Sequence, residues 1–169
     1  RFSWILAALS VFVGITAIAD IFGEDIFKSF WSNFERMEGL VGILHFYAYF
    51  FVATSVLHTE KLWRRFFQTS LVASVFMATY SFFQLAGVII INQGGTRIDA
   101  TLGNASYLAV YALFHIFIAI ALLSREKKNA YLRWVYGAIA LLNFIILFNT
   151  ATRGVVLGFI GGAILSALL

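Results

Sequence analysis

Six long apolar stretches, separated by short polar connections, restrict the folds that are open to this chain. A helix that spans a membrane needs roughly 20 mostly apolar residues. The stretches are too long for strands and do not alternate with polar residues, so they predict helices. The predicted spans lie at about 4–21, 40–57, 66–91, 107–123, 134–148 and 155–169.

Composition leads to the same class of protein. Hydrophobic residues make up 62% of the 169 residues and charged residues 12%, against about 45–50% and about 25% in soluble domains. One globular core would not bury that much apolar surface. We therefore predict an all-α, polytopic membrane bundle of about six transmembrane helices in a single domain. Because the chain starts at Arg1 and stops within an apolar run, we expect it to be a fragment of a larger protein.

The charged residues predict an orientation. Cytoplasmic loops carry an excess of Lys and Arg. Eight basic residues fall on one side: Arg1, Lys61, Arg64, Arg65, Arg125, Lys127, Lys128 and Arg133. Four fall on the other: Lys28, Arg36, Arg97 and Arg153. We assign the first side to the cytoplasm and the other connections to the outer, periplasmic side. The net charge of +4 is then explained by topology and does not indicate nucleic acid binding.

The first outer connection, residues 20–39, is rich in aromatic residues and predicts a short helix on the membrane surface. It ends in Glu35-Arg36-Met37-Glu38, where the second span begins. Acids suit the positive end of a helix, whereas a cation opposes it. Arg36 therefore either binds an anion or pairs with the neighbouring glutamates.

Two further outer connections contain arginine. Arg97 lies in a glycine-rich loop, which is either a tight turn with Asn104 or Ser106 capping the next helix, or a loop whose amides approach a phosphate. Arg153 lies in the very short 149–154 hairpin, where it either snorkels or serves a function. The glycines that follow (Gly154, Gly158, Gly161 and Gly162) indicate close helix packing.

Two histidines, His45 and His115, lie in the middle of spans. Neither has a further metal ligand three or four residues away, so we predict hydrogen-bonded packing residues and no metal site. The chain lacks cysteine, which excludes disulfides and thiolate metal sites. No nucleophile, base and acid can be grouped from the sequence, and the catalytic residues stay unassigned.

Three segments carry a resemblance. They are Glu35-Arg-Met-Glu-Gly39 with Leu44-His45, Thr101-Leu-Gly-Asn-Ala-Ser-Tyr-Leu-Ala109, and Thr150-Ala-Thr-Arg-Gly-Val-Val-Leu-Gly158. In order and spacing they resemble the O-antigen ligase family, which includes O-antigen polymerases and some protein O-oligosaccharyltransferases. Members typically show Gly-Asn-Pro-Asn-Tyr-Leu-Ala opening one span and Ser/Thr-Arg-Gly opening a later one. Ala105 and Ser106 stand here where the family has Pro-Asn.

The resemblance implies a GT-C-like glycosyltransferase of the bacterial inner membrane, active in lipopolysaccharide biosynthesis. It would move a glycan from undecaprenyl pyrophosphate to a glycan or protein acceptor on the periplasmic face, without metal or other cofactor. Arginines would bind the pyrophosphate: Arg153 and Arg36 first, then Arg97. The family's large periplasmic loop with its catalytic histidine would follow residue 169, so we expect this fragment to be inactive alone.

The alternative is a polytopic transporter or flippase for a lipid-linked or anionic substrate. Transporters typically show internal repeats and broken helices near the membrane midplane. The two halves of this chain show no repeat, and the transferase is therefore the preferred hypothesis.

Overall fold

The computed structural model describes residues 3–33, 39–92 and 95–168, and this part of the chain is all-helical. The helices are α1 (Trp4–Ile21), α2 (Ile26–Trp31), α3 (Leu40–Val56), α4 (Glu60–Leu85), α5 (Ala105–Arg125), α6 (Ala130–Asn149) and α7 (Arg153–Leu168), with a 3₁₀ turn at Ala100–Leu102. The predicted all-α fold class is confirmed.

The helices have the length and composition of a membrane protein. Four of them (α1, α4, α5 and α6) are long and apolar enough to cross a bilayer. The apolar helices α3 and α7, of 17 and 16 residues, are shorter than the roughly 20 residues of a typical span. Large apolar side chains, among them Phe46, Phe76 and Phe148, are exposed on the helix faces. Such faces are stable where lipid covers them.

The chain divides into two compact units, and the first covers Arg1–Trp63. Within it, Ser3 caps α1, and the hydroxyls of Ser10 and Tyr47 bond at 2.7 Å between α1 and α3. The short helix predicted in the first outer connection is confirmed as α2, capped by Asp25. Gly39 comes so close to the end of α2 that a Cβ there would collide with the carbonyl oxygen of Phe30.

Helix α4 lies at Glu60–Leu85, about six residues before the span predicted at 66–91. It begins early because the Thr59 hydroxyl accepts the amide of Leu62. It ends early because Gly87, with φ +72°, reverses the chain. Val88 N–H then donates to the Phe83 carbonyl and Gly87 N–H to the Gln84 carbonyl, the pattern that closes helices with a left-handed glycine. Residues 86–91 are apolar but not helical.

The second unit covers Arg64–Leu169, and its core lies along α4, α5 and α6. One buried cluster comprises Ala78, Ile98, Ala100, Leu108, Ala109, Ala112, Ile116, Ile146 and Leu147. A second comprises Leu71, Ala119, Leu122, Tyr136 and Ile139. The first cluster contains four alanines, small residues of the kind that let membrane helices approach closely.

Polar side chains join α4 to α5 and α6 at successive levels. We call these contacts the polar seam. They are the Arg64–Glu126 ion pair, Gln68 with Tyr136 (2.7 Å), Ser70 with His115 (2.9 Å), and Ser74 with Asn143 (3.2 Å). No buried side-chain nitrogen or oxygen lacks a partner within the described residues. The seam therefore fixes the register of α4 against its neighbours without leaving polar groups unsatisfied in an apolar surrounding.

Helix α7 packs against α5 through two of its glycines. A Cβ on Gly162 would lie 2.8 Å from Phe117 Cζ, and one on Gly158 would lie 4.0 Å from Leu113 Cδ2. Gly154 and Gly161 have open space instead. Close packing, predicted for all four glycines, is therefore confirmed for Gly162, while Gly158 makes an ordinary contact. The prediction is wrong for Gly154 and Gly161.

Candidate functional site

The loop that carries Arg97 is anchored to α4 by a buried amide–carboxylate pair. Gln84 Nε2 donates to Asp99 Oδ1 at 2.7 Å, and Gln84 Oε1 accepts the backbone amides of Asp99 (3.2 Å) and Ala100 (2.8 Å). The relative exposure of Asp99 is 0%. Because Gln84 serves as donor and acceptor at once, it fixes both the side chain and the backbone of the loop.

Arg97 crosses from this loop to the turn between α6 and α7. Its Nε donates to the Thr150 carbonyl at 2.9 Å, and one terminal nitrogen donates to Thr152 Oγ1 at 3.0 Å. A guanidinium has five N–H donors in a rigid plane, and these contacts use two of them. The side chain is thus held in position by two hydrogen bonds while the residue stays exposed.

Arg153 begins α7, directly after the threonine that Arg97 binds. It is exposed, and its side chain has no hydrogen-bond or ion-pair partner within the described residues. The structure therefore brings together two of the predicted site residues, Arg97 and Arg153, at one end of the second unit. We call this group, with Thr150 and Thr152, the arginine site.

The backbone around the arginine site is strained. Ala151, between the two threonines, has φ +51°, and Ala100, next to Asp99, has φ +47°. Positive φ costs an L-residue with a Cβ about 1–2 kcal/mol, and such strain clusters at ligand-binding and switch regions. Arg97 bonds the two threonines that flank Ala151, and Gln84 bonds Asp99 and Ala100 itself, so these hydrogen bonds hold the strained turns in place.

The turn that precedes α5 contains a left-handed glycine and a capping asparagine. Gly103 adopts φ +67°, and Asn104 caps α5 by accepting the Ser106 amide at 2.8 Å. Of the two capping residues considered, the structure thus selects Asn104. Gly94 lies outside the described residues.

Arg36, the remaining predicted site residue, lies outside the described residues, as do Glu35 and Glu38. The structure describes the chain again from Gly39, at the start of α3.

The two histidines differ in their surroundings. His115 is 5% exposed, and its Nδ1 lies 2.7 Å from the Tyr111 carbonyl. Since that carbonyl only accepts, Nδ1 carries a proton, and in the neutral ring Nε2 accepts from the Ser70 hydroxyl. The packing interpretation is therefore confirmed for His115. His45 bonds the Val41 carbonyl through Nδ1 but is exposed. No group of three His, Cys, Asp or Glu residues in the described part could hold a metal ion.

Sequence reasoning missed the residues that assemble the arginine site. The sequence indicated no role for Gln84, Thr150 or Thr152. A signal was present, since the second unit has only two acidic residues in its sequence, Asp99 and Glu126. Both are buried, and a buried carboxylate needs nearby donors.

These features define a helical membrane protein that exposes two arginines at the end of a packed helix group. Comparison with known proteins adds nothing to this class: no family model matches the chain, and neither the curated proteins nor the solved structures give a match.

Proposed function

We propose that this chain acts in a membrane glycosyltransferase of the O-antigen ligase or polymerase type. The enzyme moves a glycan from undecaprenyl pyrophosphate to an acceptor hydroxyl on the periplasmic face of the bacterial inner membrane. The proposal is supported by the three motif segments and by the arginine site, which contains Arg153 of the third segment and Arg97, four residues before the second segment.

The observation that carries the proposal is the bond from Arg97 to the turn that presents Arg153. Guanidinium groups bind phosphate oxygens at two points. No exposed acidic side chain of the second unit competes for them, because Asp99 is buried against Gln84. The arginine site can therefore bind a strongly charged anion at the end of the helices.

The chemistry gives these cations a catalytic advantage. Transfer breaks the bond between the anomeric carbon and a pyrophosphate oxygen, and it forms a bond from that carbon to the acceptor oxygen. Negative charge then grows on the leaving pyrophosphate, and donors preorganised around that charge lower the barrier. On this proposal Arg153 binds the phosphate oxygens. Arg97 contacts the same anion and also fixes the α6–α7 turn. The acceptor proton goes to a base that we do not assign.

Arg153→Lys tests the proposal, because lysine keeps the charge but lacks the planar fork. The variant is expressed in cells in its full natural chain, and its glycan transfer should fall roughly a hundredfold. That factor corresponds to the loss of about 3 kcal/mol of transition-state stabilisation. Expression and membrane insertion should stay unchanged. Arg36→Lys should behave similarly but more mildly, because Glu35 and Glu38 can hold either cation.

The matched control is Arg65→Lys, an exposed arginine near the start of α4, which should leave transfer unchanged. Near-normal transfer by Arg153→Lys would make Arg153 a snorkelling anchor and refute the site. If Arg153→Lys instead blocked movement of a lipid-linked glycan across the membrane while transfer continued, the transporter hypothesis would replace ours.

A further inference from the structure

A second basic cluster lies at the opposite end of α5 from the arginine site. The α5–α6 connection and its flanks carry Arg125, Lys127, Lys128 and Arg133. Glu126 is the one acid among them in sequence, and it is 7% exposed. It pairs with Arg64 through Oε2 and accepts the amides of Lys128 and Asn129 through Oε1. Both carboxylate oxygens are thus engaged within the fold.

Two of the neighbouring basic side chains have no such ion pair or hydrogen bond within the described residues. Lys127 and Arg133 are exposed, and their side chains have no partner within the described residues. Two grooves meet at Arg133. The first groove, of about 370 Å³, is lined by Ile120, Leu123, Ser124, Glu126, Lys127 and Arg133. The second groove, also of about 370 Å³, is lined by Leu123, Ala130, Arg133, Trp134 and Gly137.

The position of these grooves identifies the depth at which a ligand would bind. Helices α5 and α6 are both long and apolar enough to cross a membrane, so the connection between them lies at the membrane–water interface. Trp134 and Tyr131 are 80% and 74% exposed there, as is typical of interfacial aromatic residues. Lipid phosphates lie at this same level.

We propose that the first and second grooves bind one anionic glycerophospholipid. Its phosphate is held by Lys127 and Arg133, and its acyl chains lie against Leu123 and along the second groove beside Gly137. Two uncompensated cations favour a headgroup with net negative charge over a zwitterionic one. The apolar walls favour a ligand with hydrocarbon chains over a free anion. Basic pockets between transmembrane helices bind such headgroups.

The experiment uses the purified protein in detergent and measures lipid binding by native mass spectrometry. The probes are phosphatidylglycerol and phosphatidylcholine with identical acyl chains. The protein should retain one phosphatidylglycerol in preference to phosphatidylcholine. Lys127→Gln with Arg133→Gln should weaken phosphatidylglycerol binding roughly fivefold per lost cation and about thirtyfold together.

The matched control for charge is Lys61→Gln with Arg65→Gln, which removes the same charge from exposed residues near the start of α4. It should weaken binding less than the Lys127→Gln and Arg133→Gln pair does, because neither Lys61 nor Arg65 lines either groove. Equal losses in the two double variants would show general attraction to a basic surface and refute the site. Equal binding of the two lipids, or displacement of the lipid by millimolar inorganic phosphate, would refute it as well.

A second variant tests the acyl part without changing charge. A side chain on Gly137 meets no atom within 4 Å of its Cβ position, so Gly137→Leu should fold normally and fill the second groove. It should reduce phosphatidylglycerol binding, whereas Gly14→Leu, at an equally open helical glycine in α1, should not. Unchanged binding by Gly137→Leu would contradict the placement of the acyl chains.

Discussion

Gln84 and Asp99 show how single residues determine the arginine site without reaching the ligand. The amide of Gln84 bonds the carboxylate of Asp99 and two backbone amides of the loop. Two residues before Asp99, Arg97 bonds the α6–α7 turn. The position of Arg97 therefore depends on a buried pair that starts in the last turn of α4.

Replacing Gln84 should destabilise the protein more than replacing a similar residue elsewhere in α4. Gln84→Leu leaves the Asp99 carboxylate buried without one of its hydrogen-bond donors. Removing one partner of such a buried interaction lowers the free energy of unfolding by about 3 kcal/mol. Gln68→Leu, in the same helix, removes a bond to the neutral Tyr136 hydroxyl and should cost about 1 kcal/mol. Thermal unfolding in detergent, followed by scanning fluorimetry, measures both.

A further substitution tests whether the buried charge of Asp99 causes the loss of stability in Gln84→Leu. In the Gln84→Leu background, Asp99→Asn removes the buried charge and should recover part of the lost stability. Equal midpoints for Gln84→Leu and Gln68→Leu, or no recovery with Asp99→Asn, would show that the pair does not anchor the loop.

At the scale of elements, the packing of α7 against α5 depends on Gly162. Gly162 lets α7 approach the ring of Phe117 on α5, whereas neighbouring Gly161 faces open space. Phe117 also contacts Phe159 of α7, with ring centroids 5.9 Å apart, so a side chain at position 162 would have to displace a ring that already packs on α7.

The two adjacent glycines provide a matched pair of substitutions. Gly162→Leu should destabilise the protein by about 1–3 kcal/mol through overpacking against Phe117, whereas Gly161→Leu should be tolerated. The unfolding midpoints of the two variants, measured in the same detergent, report the difference. If Gly161→Leu were the more damaging variant, the face of α7 that packs on α5 would have been assigned incorrectly.

Local features of the elements were predictable from the sequence, and long-range contacts were not. The cap at Asn104 and the left-handed Gly103 depend on neighbouring residues, and both follow from residue type. The bond from Arg97 to Thr150 joins residues 53 positions apart, and periodicity does not indicate which helix face meets which partner. The end of α4 was misplaced because an apolar run continues past Gly87, where hydrogen bonding stops the helix.

At the scale of the second unit, both acidic residues are buried and paired within the fold, so the exposed charged residues are all basic. Asp99 is buried near the C-terminal end of α4 and Glu126 at the C-terminal end of α5. Arg97 and Arg153 remain exposed at one end, and Arg65, Arg125, Lys127, Lys128 and Arg133 at the other. The positive-inside rule predicts that the more basic end faces the cytoplasm, and on that prediction the arginine site faces the opposite side of the membrane.

Cysteine labelling tests that orientation, because the chain contains no cysteine and each introduced thiol is unique. Thr96 and Lys128 suit the experiment, since both are exposed and neither side chain has a partner within the described residues. Asn129 is less suitable because it caps α6. In intact spheroplasts an impermeant maleimide should label Thr96→Cys and spare Lys128→Cys, and detergent should make both reactive. Labelling of Lys128→Cys in intact spheroplasts would reverse the orientation and move the arginine site to the cytoplasmic face, where the proposed periplasmic transfer could not take place.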